Sequence, residues 1–346
     1  MKKVVAILLA VVLCLSAAFA LAADKIGVSF PTQSQPRWEK DGAYMKAMLE
    51  EVRFEADLQY ANDDAATQIA QLEAMIAGGC KVLVVAPVDS SALGTVLAKA
   101  KAQNIPVIAY DRLIMDTDAV SYYITYDNYV AGTFQGKYIE AILDLENAAG
   151  PFNMEIIGNS EDNNSIYIYK GIMDILKPYM DSGKLFIPSG QTEYEAVALP
   201  GTTTEVAKAR MDSLIAACYS NGTRLDAVAC FSDAVALGVS DSLTAAGFEK
   251  FPVITGQDCD IPNIKNIIAG KQTMSIIKDT TTSVDFTVTM VQDILSGVQP
   301  EINDTTTFSN HVITVPSYLC CPATVDVNSY EFMLVESGTY TEDQLK

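Results

Sequence analysis

Short apolar runs alternate with longer stretches of helical periodicity from residue 25 onward, and this alternation limits the fold more tightly than any other feature. Lys25–Phe30 reads as a strand, followed by an amphipathic helix over Trp38–Val52. Ala56–Tyr60 is a second strand, and Asp64–Ala77 a helix capped at Asn62 or Asp63. Lys81–Ala86 (KVLVVA) is continuously apolar, as in a sheet covered on both faces. A helix over Ser90–Gln103 leads to a strand at Pro106–Tyr110. This βαβαβαβ order predicts an α/β protein with a doubly wound parallel sheet.

After Tyr122–Thr125 the rhythm restarts. Strands are predicted at Asn153–Ile157, Lys184–Ile187, Asp226–Cys230, Pro252–Thr255 and Thr273–Ile277. Helices fit Tyr129–Glu146, Asn163–Tyr179, Thr203–Tyr219, Ala234–Ala246 and Ile261–Ala269. Two successive α/β units predict two doubly wound lobes with a crevice between them. Ligands of open α/β sheets bind beyond the carboxyl ends of the strands, so candidate residues should follow strand ends.

Lys2 and Lys3 precede an apolar stretch from Val4 to Ala20, and Ala20-Leu21-Ala22 forms an A-x-A site. Residues 1–22 therefore read as a secretory signal peptide, with a membrane anchor as the alternative. The expected location is outside the cytoplasm: the periplasm or the outer face of the cytoplasmic membrane.

Against 43 acidic residues stand 23 Lys and Arg, a net charge of −20 that disfavours nucleic acid and anionic lipid as partners. A single histidine, His311, removes most histidine catalysis and most histidine-ligated metal sites. Six cysteines follow residue 22, and none lies in a C-x-x-C pair. Cys320-Cys321 admits either a vicinal disulfide or thiols on opposite sides of a strand.

The strand-end rule selects Thr32–Asp41, Asp111-Arg112, Asp127-Asn128, Ser160–Asn164, Ser232-Asp233, Gln257-Asp258 and Lys278. A carboxylate accepts hydrogen bonds from vicinal hydroxyls, and a guanidinium donates a fixed fork. Asn163, Asn164, Asp233 and Asp258 add the mixture of donors and acceptors that a polyol needs. Trp38, the only tryptophan, offers an apolar face to a sugar ring. Each has a plainer reading: helix caps for Asp233 and Asp258, a helix start for Asn163-Asn164, a salt bridge for Asp111-Arg112, core for Trp38. Motifs for dinucleotide binding, P-loop chemistry, serine hydrolysis and calcium are absent. Paired carboxylates leave a glycosidase open on chemistry alone.

Several stretches carry a family resemblance: RWEKDG (Arg37–Gly42), DLQYANDD (Asp57–Asp64), KVLVVAPVDSSAL (Lys81–Leu93), IPVIAYDRLI (Ile105–Ile114) and YDN (Tyr126–Asn128). Further on come GPFNMEIIGNSEDNN (Gly150–Asn164), LKPYMDSGKL (Leu176–Leu185), ITGQD (Ile254–Asp258), IAGKQTMSIIKDT (Ile268–Thr280) and VPSYL (Val315–Leu319). On these the chain resembles periplasmic sugar-binding proteins of the type I, ribose-binding-like class. Within that class it is similar to the multiple-monosaccharide-binding and xylose-binding proteins of ABC transporters.

The resemblance implies two lobes joined by a three-crossing hinge, residues 24–125 with 279–309 and residues 126–278 with 310–346. It implies that Arg37, Trp38, Asp41, Asp111 and Arg112 line the sugar site from the first lobe. Asn163 or Asn164, Asp233, Asp258 and Lys278 would approach from the second lobe and hinge, and the strand-end rule adds Gln257 beside Asp258. It also implies no catalysis, no cofactor and no metal. The expected activity is capture of an aldopentose or aldohexose by hinge closure, for delivery to permease subunits of an ABC transporter. A chemoreceptor or sensor kinase is the alternative partner, and a secreted sugar-acting enzyme the rival class. One departure stands out: where the family places a second-lobe tryptophan, this chain has Pro200-Gly201-Thr202-Thr203, with Tyr194 the available substitute.

Overall fold

The computed structural model describes residues 23–160, 164–200 and 203–346. The expected signal peptide and the candidate Asn163 lie outside the described residues. Two compact units emerge: the chain up to Tyr123 with Val284–Pro316, and Ile124–Ser283 with Ser317–Lys346. Each unit therefore draws on separate parts of the sequence, and the chain passes between them three times. The passages fall after Tyr123, Ser283 and Pro316. The first lies inside a strand, Tyr122–Tyr126. Before the last, the Asn310 side-chain amide donates to the carbonyls of Ile114 (3.1 Å) and Thr117 (2.7 Å), which holds that segment to the first unit.

The first unit begins with β1 (Lys25–Phe30), α1 (Pro36–Glu51), β2 (Glu55–Tyr60), α2 (Ala65–Ala77), β3 (Val82–Val85), α3 (Gly94–Ala102) and β4 (Val107–Tyr110). β5 (Tyr122–Tyr126) follows, and β12 (Ser317–Cys320) closes a six-stranded sheet ordered β12-β5-β4-β3-β1-β2. β1 runs parallel to β2 and β3, and β3 parallel to β4. Every residue of β3 and β4 is buried, as continuous apolar strands require when helices cover both faces.

Two helix starts differ from the sequence reading. Asp64 itself caps α2, accepting from the backbone of Ala66 and Thr67, while Asn62 (φ 53°) and Asp63 (φ 59°) form the left-handed turn before it. Helix α3 begins at Gly94, because Asp89 turns the chain back by accepting from Ser91 N and the Ser90 carbonyl is taken by Met115 N.

The second unit carries α4 (Asn128–Ile142), β6 (Phe152–Asn159), α5 (Ser165–Asp181), β7 (Leu185–Phe186), α6 (Tyr194–Val197), β8 (Ala198–Leu199) and α7 (Thr204–Leu214). β9 (Ala227–Cys230), α8 (Asp233–Ala245), β10 (Val253–Ile254), α9 (Ile261–Ile268) and β11 (Met274–Ile277) follow. Its parallel sheet is ordered β10-β9-β6-β7, with β8 also on β6. β11 does not extend that sheet by a regular ladder. It pairs antiparallel with β13 (Ala323–Asp326) and touches the sheet through a parallel bridge between Ile276 and Gln257.

The helix expected to reach Tyr219 ends as a π turn over Ile215–Tyr219, which brings the Tyr219 hydroxyl to the buried Glu155 carboxylate at 2.8 Å. Helix α10 (Thr280–Ser296) leads out of this unit, and α11 (Glu342–Leu345) ends the chain. Cys320 is buried and Cys321 exposed, and all six described cysteines are free thiols. No described helix is long and apolar enough to cross a membrane.

Candidate functional site

In the first unit the carboxyl ends of β1 and β4 meet the start of α1. Helix α1 has proline at its first position, and its first turns present Arg37, Trp38 and Asp41. Tyr110 closes β4; its ring stacks on Phe30 of β1 (5.2 Å, 25°) and its hydroxyl donates to Asp41 Oδ2 (3.0 Å). Immediately after it the chain reverses: Arg112 N donates to the Tyr110 carbonyl (2.7 Å), with Asp111 between them at φ 62°. A non-glycine residue there stores backbone strain, a feature that concentrates at ligand sites. Tyr123 supports the turn by donating its hydroxyl to the Asp111 carbonyl (2.8 Å).

All five first-unit candidates are thereby brought together. Arg37 donates to Asp111 Oδ1 at 2.6 Å and lies 3.7 Å from Asp41 Oδ2, one helical turn along α1. The Arg112 guanidinium reaches the Pro87 carbonyl (3.3 Å). Both guanidiniums lie over the Trp38 ring, at 4.9 Å for Arg37 and 5.3 Å for Arg112. Trp38 itself is 1% exposed and packs on Phe30 at 5.5 Å. Here its ring is a buried platform beneath two cationic forks. Two aspartates and two arginines give the cluster no net charge while offering many directed donors and acceptors, a combination suited to a neutral polyol.

In the second unit the candidates gather on the carboxyl edge of the parallel strands. Asn164 is buried in the turn before α5, where Ser165 Oγ donates to Asn159 Oδ1 (3.0 Å) at the end of β6. Gln257 and Asp258 follow β10, and the Gln257–Ile276 bridge places them at the end of β11 that Lys278 leaves. The buried side-chain oxygen of Gln257 has no partner among the described residues, while Asp258 is exposed and Lys278 half-buried.

Asp233 sits apart from the other second-unit candidates in being wholly enclosed. It has 0% exposure, and its carboxylate accepts from Asp260 N (2.9 Å), Gln272 Nε2 (3.0 Å) and Ser275 Oγ (2.9 Å to each oxygen). Burial, with Asp260 and Asp258 close by, raises its carboxyl, and the Gln272 and Ser275 hydrogen bonds oppose that rise by stabilising the charged form. Its oxygens serve the protein's own donors.

Sequence reasoning missed the supporting groups: Tyr110 and Tyr123 in the first unit, and Asn263, Gln272 and Ser275 in the second. Only Tyr110 carried a signal, as the hydroxyl-bearing last residue of an apolar strand. On the second-unit departure, Tyr194 packs edge-on against Tyr169 (5.7 Å), and its hydroxyl lies 3.5 Å from the Asn159 carbonyl. Among the described residues no cluster of three or more His, Cys, Asp or Glu is arranged to hold a metal ion.

Comparison with known proteins agrees with this architecture. A multiple sugar-binding periplasmic receptor, ChvE, of Rhizobium radiobacter is 44% identical over 94% of each chain. A D-xylose-binding periplasmic protein of Escherichia coli is 33% identical over 93% of this chain and 92% of its own. Among solved structures, an ABC transporter solute binding protein from Clostridium phytofermentans with bound β-D-glucose superposes with a TM-score of 0.87. It is 52% identical, over 93% of this chain and all of its own. A family model described as a periplasmic binding protein domain matches residues 26–299, and the chain belongs to that family.

Proposed function

We propose that this protein is an extracytoplasmic receptor that captures a monosaccharide, an aldopentose or aldohexose, and delivers it to the permease of an ABC transporter. One observation carries the reading: the charge-balanced cluster of Arg37, Asp41, Asp111 and Arg112 around the buried Trp38 ring. Neutral hydroxyls can exchange hydrogen bonds with these groups without importing a charge, whereas an anion would meet two carboxylates. Asn164, Gln257, Asp258 and Lys278 supply the second-unit contacts in this reading. A ligand contacting groups on both units favours whichever conformation lets both reach it, which is how binding drives hinge closure. The relatives add support, being named for binding several sugars or xylose, with glucose bound in the solved structure. The activity is binding, with no bond broken.

A thermal-shift screen over pentoses and hexoses tests the proposal. A bound aldose at 100 times its Kd stabilises by about 2.7 kcal/mol and raises Tm. A screen in which no aldose raises Tm contradicts it, as does release of product from glycosides.

A further inference from the structure

The turn after β10 is held in an unusual conformation by groups that make no part of the sugar-binding cluster. Asp258 has φ 105° and Cys259 φ 56°, two successive non-glycine residues in the left-handed region. Such a pair persists only where the surroundings over-determine it. Here they do. Asp258 N donates to the Ile276 carbonyl (2.8 Å), Cys259 N to Ser275 Oγ (3.1 Å) and Asp260 N to Asp233 Oδ2 (2.9 Å). The Asp233 backbone N–H donates to the Gln257 carbonyl (2.7 Å), so this one residue grips both ends of the turn.

Its carboxylate is gripped in return. Ser275 Oγ and Gln272 Nε2 donate to it, and Asn263 Nδ2 links the Asp233 carbonyl to Gln272 Oε1 at 2.8 Å each. Gly256 leaves room for it: a Cβ there would lie 2.1 Å from Asp233 Oδ1. Three donors converge on two fully buried oxygens, an arrangement a carboxylate satisfies and a carboxamide does not, because its NH2 must face one of them.

We infer that Asp233 is a positioning residue: through the Asp258–Asp260 turn and Ser275 it fixes the orientation in which Asp258 meets a sugar. The inference rests on the sugar-binding reading of Asp258 for its functional consequence, and on the turn alone for its structural one.

Calorimetric titration with D-glucose, with D-xylose as the second probe, compares wild type with Asp233→Asn, Ser275→Ala, Asp258→Asn and the Asp233→Asn/Asp258→Asn pair. Amide hydrogen exchange is followed in the ligand-free proteins. Asp233→Asn is expected to weaken binding at least tenfold. The pair should bind no more than twofold more weakly than Asp258→Asn alone, since both changes remove the same contact. The amides of Cys259 and Asp260 should exchange faster while those of β9 stay protected. Ser275→Ala, a smaller excision, should give the same pattern at reduced size and carries the test if Asp233→Asn does not fold. Sugar affinity within twofold of wild type in the folded variants, multiplying losses in the pair, or unchanged exchange at the turn each overturns the inference. If wild type binds neither sugar, the receptor reading fails, and the exchange measurement still decides whether Asp233 holds the turn.

Discussion

Asp111 combines a left-handed backbone, a 2.6 Å ion pair with Arg37 and a main-chain bond from Tyr123, so its side chain is aimed before any ligand arrives. Arg112, next to it, reaches a backbone carbonyl and lies over the Trp38 ring. Arg112→Lys replaces a planar fork with a point charge that cannot repeat both contacts. Sugar affinity should fall roughly tenfold, about 1.4 kcal/mol, with little change in ligand-free Tm; a large fall in Tm with normal affinity would make Arg112 structural instead. Trp38 is the only tryptophan, so its fluorescence isolates the cluster. Ligand-free emission should be that of a buried ring, shielded from iodide, and saturating sugar should change it as the guanidiniums above it move. Unchanged emission in a sugar-bound sample would separate Trp38 from the ligand. At this scale the placement of Asp111 and Arg112 just beyond β4 was legible, because both directly follow a continuous apolar strand. The enclosure of Asp233 was not, since an aspartate at a helix start looks the same whether its oxygens meet ligand or are wholly enclosed. Enclosure depends on Gln272 and Ser275, some forty residues away in the chain.

Helices α4 and α5 approach until their backbones nearly touch. A Cβ on Gly171 of α5 would lie 2.2 Å from the Tyr129 carbonyl, and one on Gly132 of α4 2.0 Å from that of Ile168. Gly171→Ala should therefore cost about 1–3 kcal/mol by forcing the helices apart. Asp127, whose side chain caps α4 by accepting from Val130 N, is a milder case. Asp127→Ala should cost about 1 kcal/mol, and Asp127→Asn almost nothing. At roughly 2–4 °C per kcal/mol for a unit of this size, scanning calorimetry resolves the order. Equal Tm values for Gly171→Ala and wild type would contradict the close crossing. The alternation of strands and helices was readable because it follows from burying strands under helices on both faces. Helix ends were less so: Ser90 to Leu93 has helical composition, yet the turn at Asp89 and the bond from Met115 are tertiary facts. β13 and its antiparallel pairing with β11 left no pattern, because a lone four-residue strand has too few alternations to stand out.

Across the whole molecule, burial holds several acids of high pKa in their neutral form. It raises the thiols of Cys80 to about 11 and Cys320 to about 12. It raises the phenols of Tyr138 and Tyr340 to about 12, with nearby carboxylates adding to the shift. Folded values above unfolded ones mean stability is fully present below the unfolded values near 9 and 10. It is lost as pH climbs toward 12, because the unfolded chain releases these protons first. Tm should fall steadily between pH 9 and 11; a flat profile there would show these groups to be solvated. The net charge of −20 adds to this fragility, since further deprotonation increases self-repulsion. The same acidity bears on function, because the account rests on a binding cluster that carries no net charge within an acidic protein. The most direct measurement is calorimetric titration of D-glucose beside D-glucose 6-phosphate under identical conditions. Saturable binding of the neutral sugar, with the phosphate much weaker or undetectable, is the expected result. Tighter binding of the phosphate, or no binding of glucose or any other aldose, would contradict the account.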